Sequence, residues 1–242
     1  MSKNFWIILI ALAVGLGLVF HFTSKPSTNN SGTVGSNHIQ GKGSTGVTLV
    51  EYGDYQCPYC AQYYPIVTQA VQKFDSQIHF QFKNLPLTQL HPNAFAASRA
   101  AEAAGLMGKF WEMHDLLYQQ SIQHLNNEKS PSWVTASNPQ PYFDAFAKSL
   151  GLDVAKFNNN YTGSTVNNLI NGDINDFKKT GAQQATPAFF LNGKQIQPQA
   201  TLASLSGYIQ AEINKKESKK TTTPASSSTG NQSVQSKPTT NK

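Results

Sequence analysis

Cys57 and Cys60 are the only cysteines in 242 residues, and they stand together as Cys57-Pro58-Tyr59-Cys60. A chain with thiols nowhere else that holds its pair at this separation points to thiol–disulfide chemistry. The flanking residues set the backbone around the pair. Val47-Thr48-Leu49-Val50-Glu51-Tyr52 is β-branched and apolar enough to predict a buried strand. Gly53-Asp54-Tyr55-Gln56 reads as a turn, and Ile66, Ala70, Val71 and Phe74 recur at helical spacing after it. Pro58 is then the first helical residue, where a missing N–H costs nothing and the fixed φ helps. Cys57 becomes the N-cap, its sulfur facing the free N–H groups of Tyr59 and Cys60. Those donors and the helix dipole favour a thiolate, and cysteines so placed titrate at about 3.5–7.5. Cys60, one turn further in, is expected to be buried and to act as the resolving sulfur.

Two other readings of the pair stand beside this one. A structural disulfide across so short a loop restrains the unfolded chain little. Half of a zinc site needs two further ligands. His38, His79, His91, His114 and His124 are scattered, no two at i, i+3 or i, i+4, and no second cysteine pair exists. No metal is therefore expected, and no cofactor beyond the redox-active Cys57–Cys60 disulfide.

Phe5 to Phe22 is an 18-residue stretch without Lys, Arg, Asp or Glu. That length suffices for a bilayer core, which needs about 17–25 residues. Val19-Phe20-His21-Phe22 puts large residues where a small-x-small cleavage site would stand, so residues 1–22 read as an uncleaved N-terminal anchor rather than a cleaved secretory signal. The rest of the chain is then expected outside the cell membrane, in a compartment that permits disulfides. Residues 23–37 read as a flexible linker and 214–242 as a disordered basic tail. Between them, 38–213 is long enough for one domain with a real core. Residues 45–213 hold ten Lys and Arg against twelve Asp and Glu, whereas 214–242 hold six Lys and one Glu. The basic balance is thus mostly a property of the tail, which argues against a nucleic-acid partner. A monomer is expected.

Ile78-His79-Phe80-Gln81-Phe82-Lys83 alternates apolar and polar, a second strand closing a βαβ unit with the first. An Ala-rich helix opens at His91-Pro92 and ends at Gly105 as a C′ residue. Lys109–Gln120 continues as helix, 121–141 read as loop, and Tyr142–Leu150 is a short helix stopped by Gly151. Asp153 caps another short turn, and Val166, Ile170, Ile174 and Phe177 mark a helix ending at Gly181. Asn192-Gly193 between two apolar runs is a hairpin signal, and Leu202, Leu205, Ile209 and Ile213 supply a closing helix. The order β-α-β, helical insertion at about 88–180, β-β-α is that of an α/β thioredoxin fold with an inserted helical domain.

At this point three motifs carry a resemblance. Residues Val47 to Cys60 resemble the active-site stretch of DsbA-like thiol–disulfide oxidoreductases, most of all the membrane-anchored branch. Gly108-Lys109-Phe110-Trp111-Glu112-Met113-His114-Asp115-Leu116-Leu117 is similar to that branch's insertion-domain motif. Thr186-Pro187-Ala188-Phe189-Phe190-Leu191-Asn192-Gly193 is similar to its C-terminal hairpin. The resemblance implies a cis peptide at Thr186-Pro187 beside the cysteines, leaving the Thr186 backbone free to pair with an extended substrate. Pro58 and Tyr59 then belong to the substrate-facing rim. It also implies that Glu51 assists proton transfer at the inner cysteine; the competing reading is an edge-strand Glu pointing to water. Tyr59 stands where some relatives carry His, so a less depressed Cys57 and a milder oxidant are expected. Phe110, Trp111 and Met113 read as core, and His114 as a surface or inter-helix residue.

The activity so implied is oxidation of reduced exported proteins through a Cys57 mixed disulfide, with a membrane quinone-linked partner of DsbB or vitamin-K-epoxide-reductase type restoring the pair. A reductase or isomerase on the same fold, and a tethered binding module with an inert pair, are the rivals.

Overall fold

The computed structural model describes residues 33–127 and 130–221. The expected anchor, most of the linker and the tail beyond Thr221 lie outside the described residues. Among those described, no helix is long and apolar enough to cross a membrane.

Among the described residues five strands form one sheet: β1 (His38–Gln40), β2 (Val47–Gly53), β3 (Ile78–Asn84), β4 (Ala188–Leu191) and β5 (Lys194–Ile196), in the order β1-β3-β2-β4-β5. β2 and β3 run parallel, joined through helix α1 (Pro58–Lys73); the other pairings are antiparallel. This is the expected βαβ unit followed by a hairpin. Asn192 at φ 49° and Gly193 at φ 80° close that hairpin, because an Asn-Gly pair reaches the left-handed region cheaply.

Among the described residues five helices separate β3 from β4: α2 (Ala94–Gly105), α3 (Phe110–Asn126), α4 (Gln140–Ser149), α5 (Val154–Thr162) and α6 (Ser164–Lys179). α7 (Leu202–Thr221) closes the chain. Phe82, Tyr55, Phe110 and Tyr118 pack as a buried aromatic cluster between the sheet and α3. Tyr52, Leu85, Phe177, Ala188 and Phe190 make a second, smaller core against α6.

Several boundaries differ from expectation. β1 is three residues long, too short to show alternation, and exists because it pairs with Phe80–Phe82. The linker does not reach residue 37: Ser36 is buried, its N–H donating to Asp173 Oδ1 at 2.8 Å and its hydroxyl to Oδ2 at 2.7 Å. α2 begins at Ala94, not at His91-Pro92. It ends at Gly105, but as its last helical residue and not as a left-handed cap. The left-handed residue is Gly108 at φ 77°, and Lys109 N–H returns to the Ala104 carbonyl at 2.9 Å. Gly105 stays helical and is small because His38 and Phe110 close on it. α3 extends to Asn126 inside the expected loop, held there by the Ser121 hydroxyl donating to the Tyr55 carbonyl at 2.7 Å. α7 runs on past Asn214, because the Lys-rich stretch after it contains good helix formers.

Candidate active site

The carboxyl end of β2 runs through Gly53 into the turn that delivers the cysteines. Gly53 has no side chain for a physical reason: a Cβ there would run into the Phe82 ring. Cys57 N–H then donates to the Asp54 carbonyl at 3.1 Å, and Ala61 N–H to the Cys57 carbonyl at 3.1 Å, which starts α1. Pro58 occupies the first helical position and Cys57 is the N-cap in extended conformation. The sulfur makes no cap hydrogen bond of full geometry, yet the N–H groups of Tyr59 and Cys60 both favour its ionised form.

Both thiols are free and buried, but their environments differ. The Cys60 thiol hydrogen-bonds the Cys57 sulfur and lowers the Cys57 pKa to about 6; burial opposes this, while contacts to Thr186 and the helix N–H groups add to it. Burial pushes Cys60 well above the ordinary thiol value, and the neighbouring Cys57 and Glu51 charges push it further. Asp54 N–H donates to Cys60 Sγ at 3.5 Å. The pair thus sets a readily ionised Cys57 at the helix start over a protonated inner thiol.

Thr186-Pro187 is cis and lies beside Cys57, whose Sγ donates to the Thr186 carbonyl at 3.5 Å. The Thr186 hydroxyl is buried without a partner among the described residues. Tyr59, 65% exposed, Tyr63, Thr186, Pro187, Phe189 and Pro198 line a shallow groove of about 240 Å³ at this edge.

Glu51 does not sit on an edge. β2 is the central strand, with Glu51 between Phe82 of β3 and Phe189 of β4, and its carboxyl is buried. Burial, helped by the Cys57 charge, raises its pKa to about 8. It borders a cavity of about 450 Å³, which also touches Tyr64, Trp111, His114 and Asp115. Phe110 and Met113 are core, as expected, and Trp111 packs half-buried against them. Of the two positions expected for His114, the inter-helix one holds: it is buried and packs against Tyr64 of α1. Its ring is enclosed by aromatic side chains, its Nδ1 pairs with the Tyr55 hydroxyl at 3.0 Å, and burial followed by the His38 charge lowers its pKa to about 3.

Sequence reasoning missed Asp54. Its buried carboxylate accepts from Gln56 N–H at 2.8 Å, Leu87 N–H at 2.9 Å and His91 Nδ1 at 2.7 Å. An Asp three residues ahead of the cysteine, in a turn, was the only local signal. Among the described residues no cluster of three or more His, Cys, Asp or Glu is arranged to hold a metal ion.

A sequence model of the family described as Thioredoxin matches residues 33–211. BdbD from Bacillus subtilis, in its oxidised crystal structure, is 25% identical and superposes with a TM-score of 0.56 over 76% of this chain and 96% of its own. MdbA, a thiol-disulfide oxidoreductase from Actinomyces oris, is 18% identical and shares the fold at a TM-score of 0.60, over 75% of this chain and 93% of that one. Among curated proteins, the Na(+)/H(+) antiporter NhaA 1 of Salinispora arenicola is 35% identical over 172 residues, which are 71% of this chain and 24% of the antiporter. The chain therefore spans about a quarter of the length of that relative. With its fold, its paired cysteines and the family match over residues 33–211, the chain belongs to the thioredoxin family.

Proposed function

We propose that the chain is an oxidase that introduces disulfides into reduced exported proteins, held at the cell membrane by residues 1–22 and acting as a monomer. The observation that carries this reading is the asymmetry of the two sulfurs, Cys57 lowered to about 6 and Cys60 raised. A substrate thiolate attacks Cys57 Sγ, the Cys57–Cys60 bond breaks, and Cys60 leaves with the electron pair. Cys60 needs a proton to be a good leaving group in its buried setting, and the protonated Glu51 carboxyl is suited to give it. A second substrate thiolate then attacks the substrate sulfur of the mixed disulfide and expels Cys57 as a thiolate. Substrate becomes the disulfide and the enzyme the dithiol. The stable Cys57 thiolate makes this last step favourable. A membrane quinone-linked partner of DsbB or vitamin-K-epoxide-reductase type takes the two electrons and restores the pair. The extended substrate pairs with the Thr186 backbone beside Pro187, over the rim of Pro58 and Tyr59.

The test is to mix the disulfide form of the full chain with reduced hirudin and follow disulfides by mass. Oxidation of hirudin that is lost in Cys57→Ser supports the oxidase. Insulin reduction without hirudin oxidation gives a reductase instead. Neither activity, with Cys57→Ser behaving as wild type, leaves an inert binding module.

A further inference from the structure

Asp54 brackets both cysteines with its main chain: its carbonyl accepts from Cys57 N–H at 3.1 Å and its N–H donates to Cys60 Sγ at 3.5 Å. Its carboxylate is sealed beneath the same turn, with nothing exposed. A negative charge fixed there opposes a second one on Cys57. Of the three groups among the described residues that donate to the carboxylate, the Gln56 and Leu87 amides are neutral, and only His91, at 2.7 Å, can bring a positive charge. Tyr59, inside the cysteine motif, brings none. His91 arrives from the segment between β3 and α2, and its ring keeps 17% of its surface in solvent, so it can exchange a proton where Asp54 cannot. The titratable groups facing His91 are Asp54, from the turn after β2, and Cys57, at the start of α1. The Asp54 hydrogen bond holds its imidazolium against desolvation, and the charges of Asp54 and Cys57 add to this.

We propose that His91 is a positioning residue for the Cys57 thiolate: as an imidazolium it neutralises the Asp54 carboxylate under the turn, and so sets how readily Cys57 ionises. The cation missing from the cysteine motif is supplied from another loop. The coupling is reciprocal, so a thiolate on Cys57 raises the proton affinity of His91 by the same factor. Reduction of the disulfide takes two electrons and one proton onto Cys60, and it then draws a further fraction of a proton onto His91. This rests on the reading of Cys57 as the exchanging sulfur.

The experiment uses the full chain as wild type, His91→Gln and His91→Lys. Alkylation of Cys57 is followed against pH, and each variant is equilibrated with glutathione. His91→Gln is expected to move the Cys57 titration upward and to make the pair about threefold to tenfold less oxidising, with His91→Lys recovering most of the loss. A wild-type titration and equilibrium in His91→Gln overturns the proposal, as does His91→Lys matching His91→Gln. Should His91→Gln melt early, the His91 ring proton of the wild type decides by NMR. A higher pKa in the dithiol than in the disulfide form supports the proposal, and equal values overturn it. Failure of the underlying reading looks different: wild-type Cys57 then titrates as an ordinary thiol.

Discussion

The Sγ of Cys57 lies 3.5 Å from the main-chain oxygen of Thr186, so the first turn of α1 and the entry to β4 meet at the reactive sulfur. The Cys60 thiol and the helix N–H groups favour the Cys57 thiolate, while Cys60 is enclosed. In the reduced chain near neutral pH, iodoacetamide is therefore expected to label Cys57 and leave Cys60 untouched until the protein is unfolded. The rate at Cys57 should rise through a midpoint at about 6. Peptide mass mapping checks this; equal labelling of both sulfurs in the folded chain would contradict it.

The same shift ties stability to pH. A thiol lowered from 9.0 to about 6 on folding contributes stability that is present above the unfolded value and lost as pH falls through the folded one. Reduced chain should thus gain on the disulfide form by about 2–4 kcal/mol between about pH 6 and pH 9. Urea melts of both forms across that window measure the difference, and a flat difference refutes the shift.

Glu51 has the opposite sign. Its carboxyl is raised from 4.5 to about 8, so its favourable contribution is complete below the unfolded value and is lost as pH climbs to the folded one. Glu51→Gln, which keeps the shape and removes the charge, should match wild type near pH 4. By about pH 8 it should be more stable by on the order of 2–4 kcal/mol. If Glu51 gives the proton to Cys60, the same variant slows mixed-disulfide formation by about tenfold or more. Equal denaturant midpoints at both pH values would remove the buried-charge argument.

The parts of this site that local chemistry dictates were legible. Pro58 marks the helix start, Asn192-Gly193 the hairpin, and the strand–turn–helix order the position of the sulfurs. Distance hid the rest. His91 reaches Asp54 across 37 positions and Ser36 reaches Asp173 across 137, and no periodicity reports contacts of that separation. β1 was invisible because three residues show no alternation. For His114 the sequence left surface and inter-helix positions open, and only the Tyr55, Phe82 and Tyr118 rings around it, with Tyr64 of α1 beside it, decide for the second. Glu51 shows the converse. Its strand composition announced burial, but only the strand order shows that β2 is central.

Tyr59 offers a direct trial of the sulfur's electrostatics. Its side chain is exposed and the Cys57 shift draws on its backbone N–H, not its phenol. Tyr59→His keeps that N–H and adds an imidazolium beside the sulfur when protonated. Cys57 should titrate about one unit lower, and the disulfide should become more oxidising. Alkylation against pH and glutathione equilibration read both changes; an unmoved Cys57 would mean that the position lies too far into solvent to matter.

Lys83 holds the insertion to the sheet. Its ammonium lies 3.2 Å from Asp173 and 3.0 Å from Asp176, and Asp173, with nothing exposed, also accepts from Ser36 and Asn84. Three elements meet at one carboxylate: the segment before β1, the end of β3 and α6. Lys83→Met leaves Asp173 buried with its remaining donors neutral, a loss that costs about 3–5 kcal/mol when a buried pair is broken. Those donors still satisfy the oxygens, so the lower end of that range is expected. Lys179, 73% exposed against Asp176, is the internal control, and Lys179→Ala should cost under about 1 kcal/mol. High salt should shrink the Lys179 effect and spare the Lys83 one, since screening acts on exposed charges. Urea denaturation of the two variants at low and high salt checks the contrast. A Lys83→Met loss no larger than that of Lys179→Ala would show that the insertion is held by its apolar contacts, Phe177 against Tyr52 and Phe190 foremost, rather than by charge.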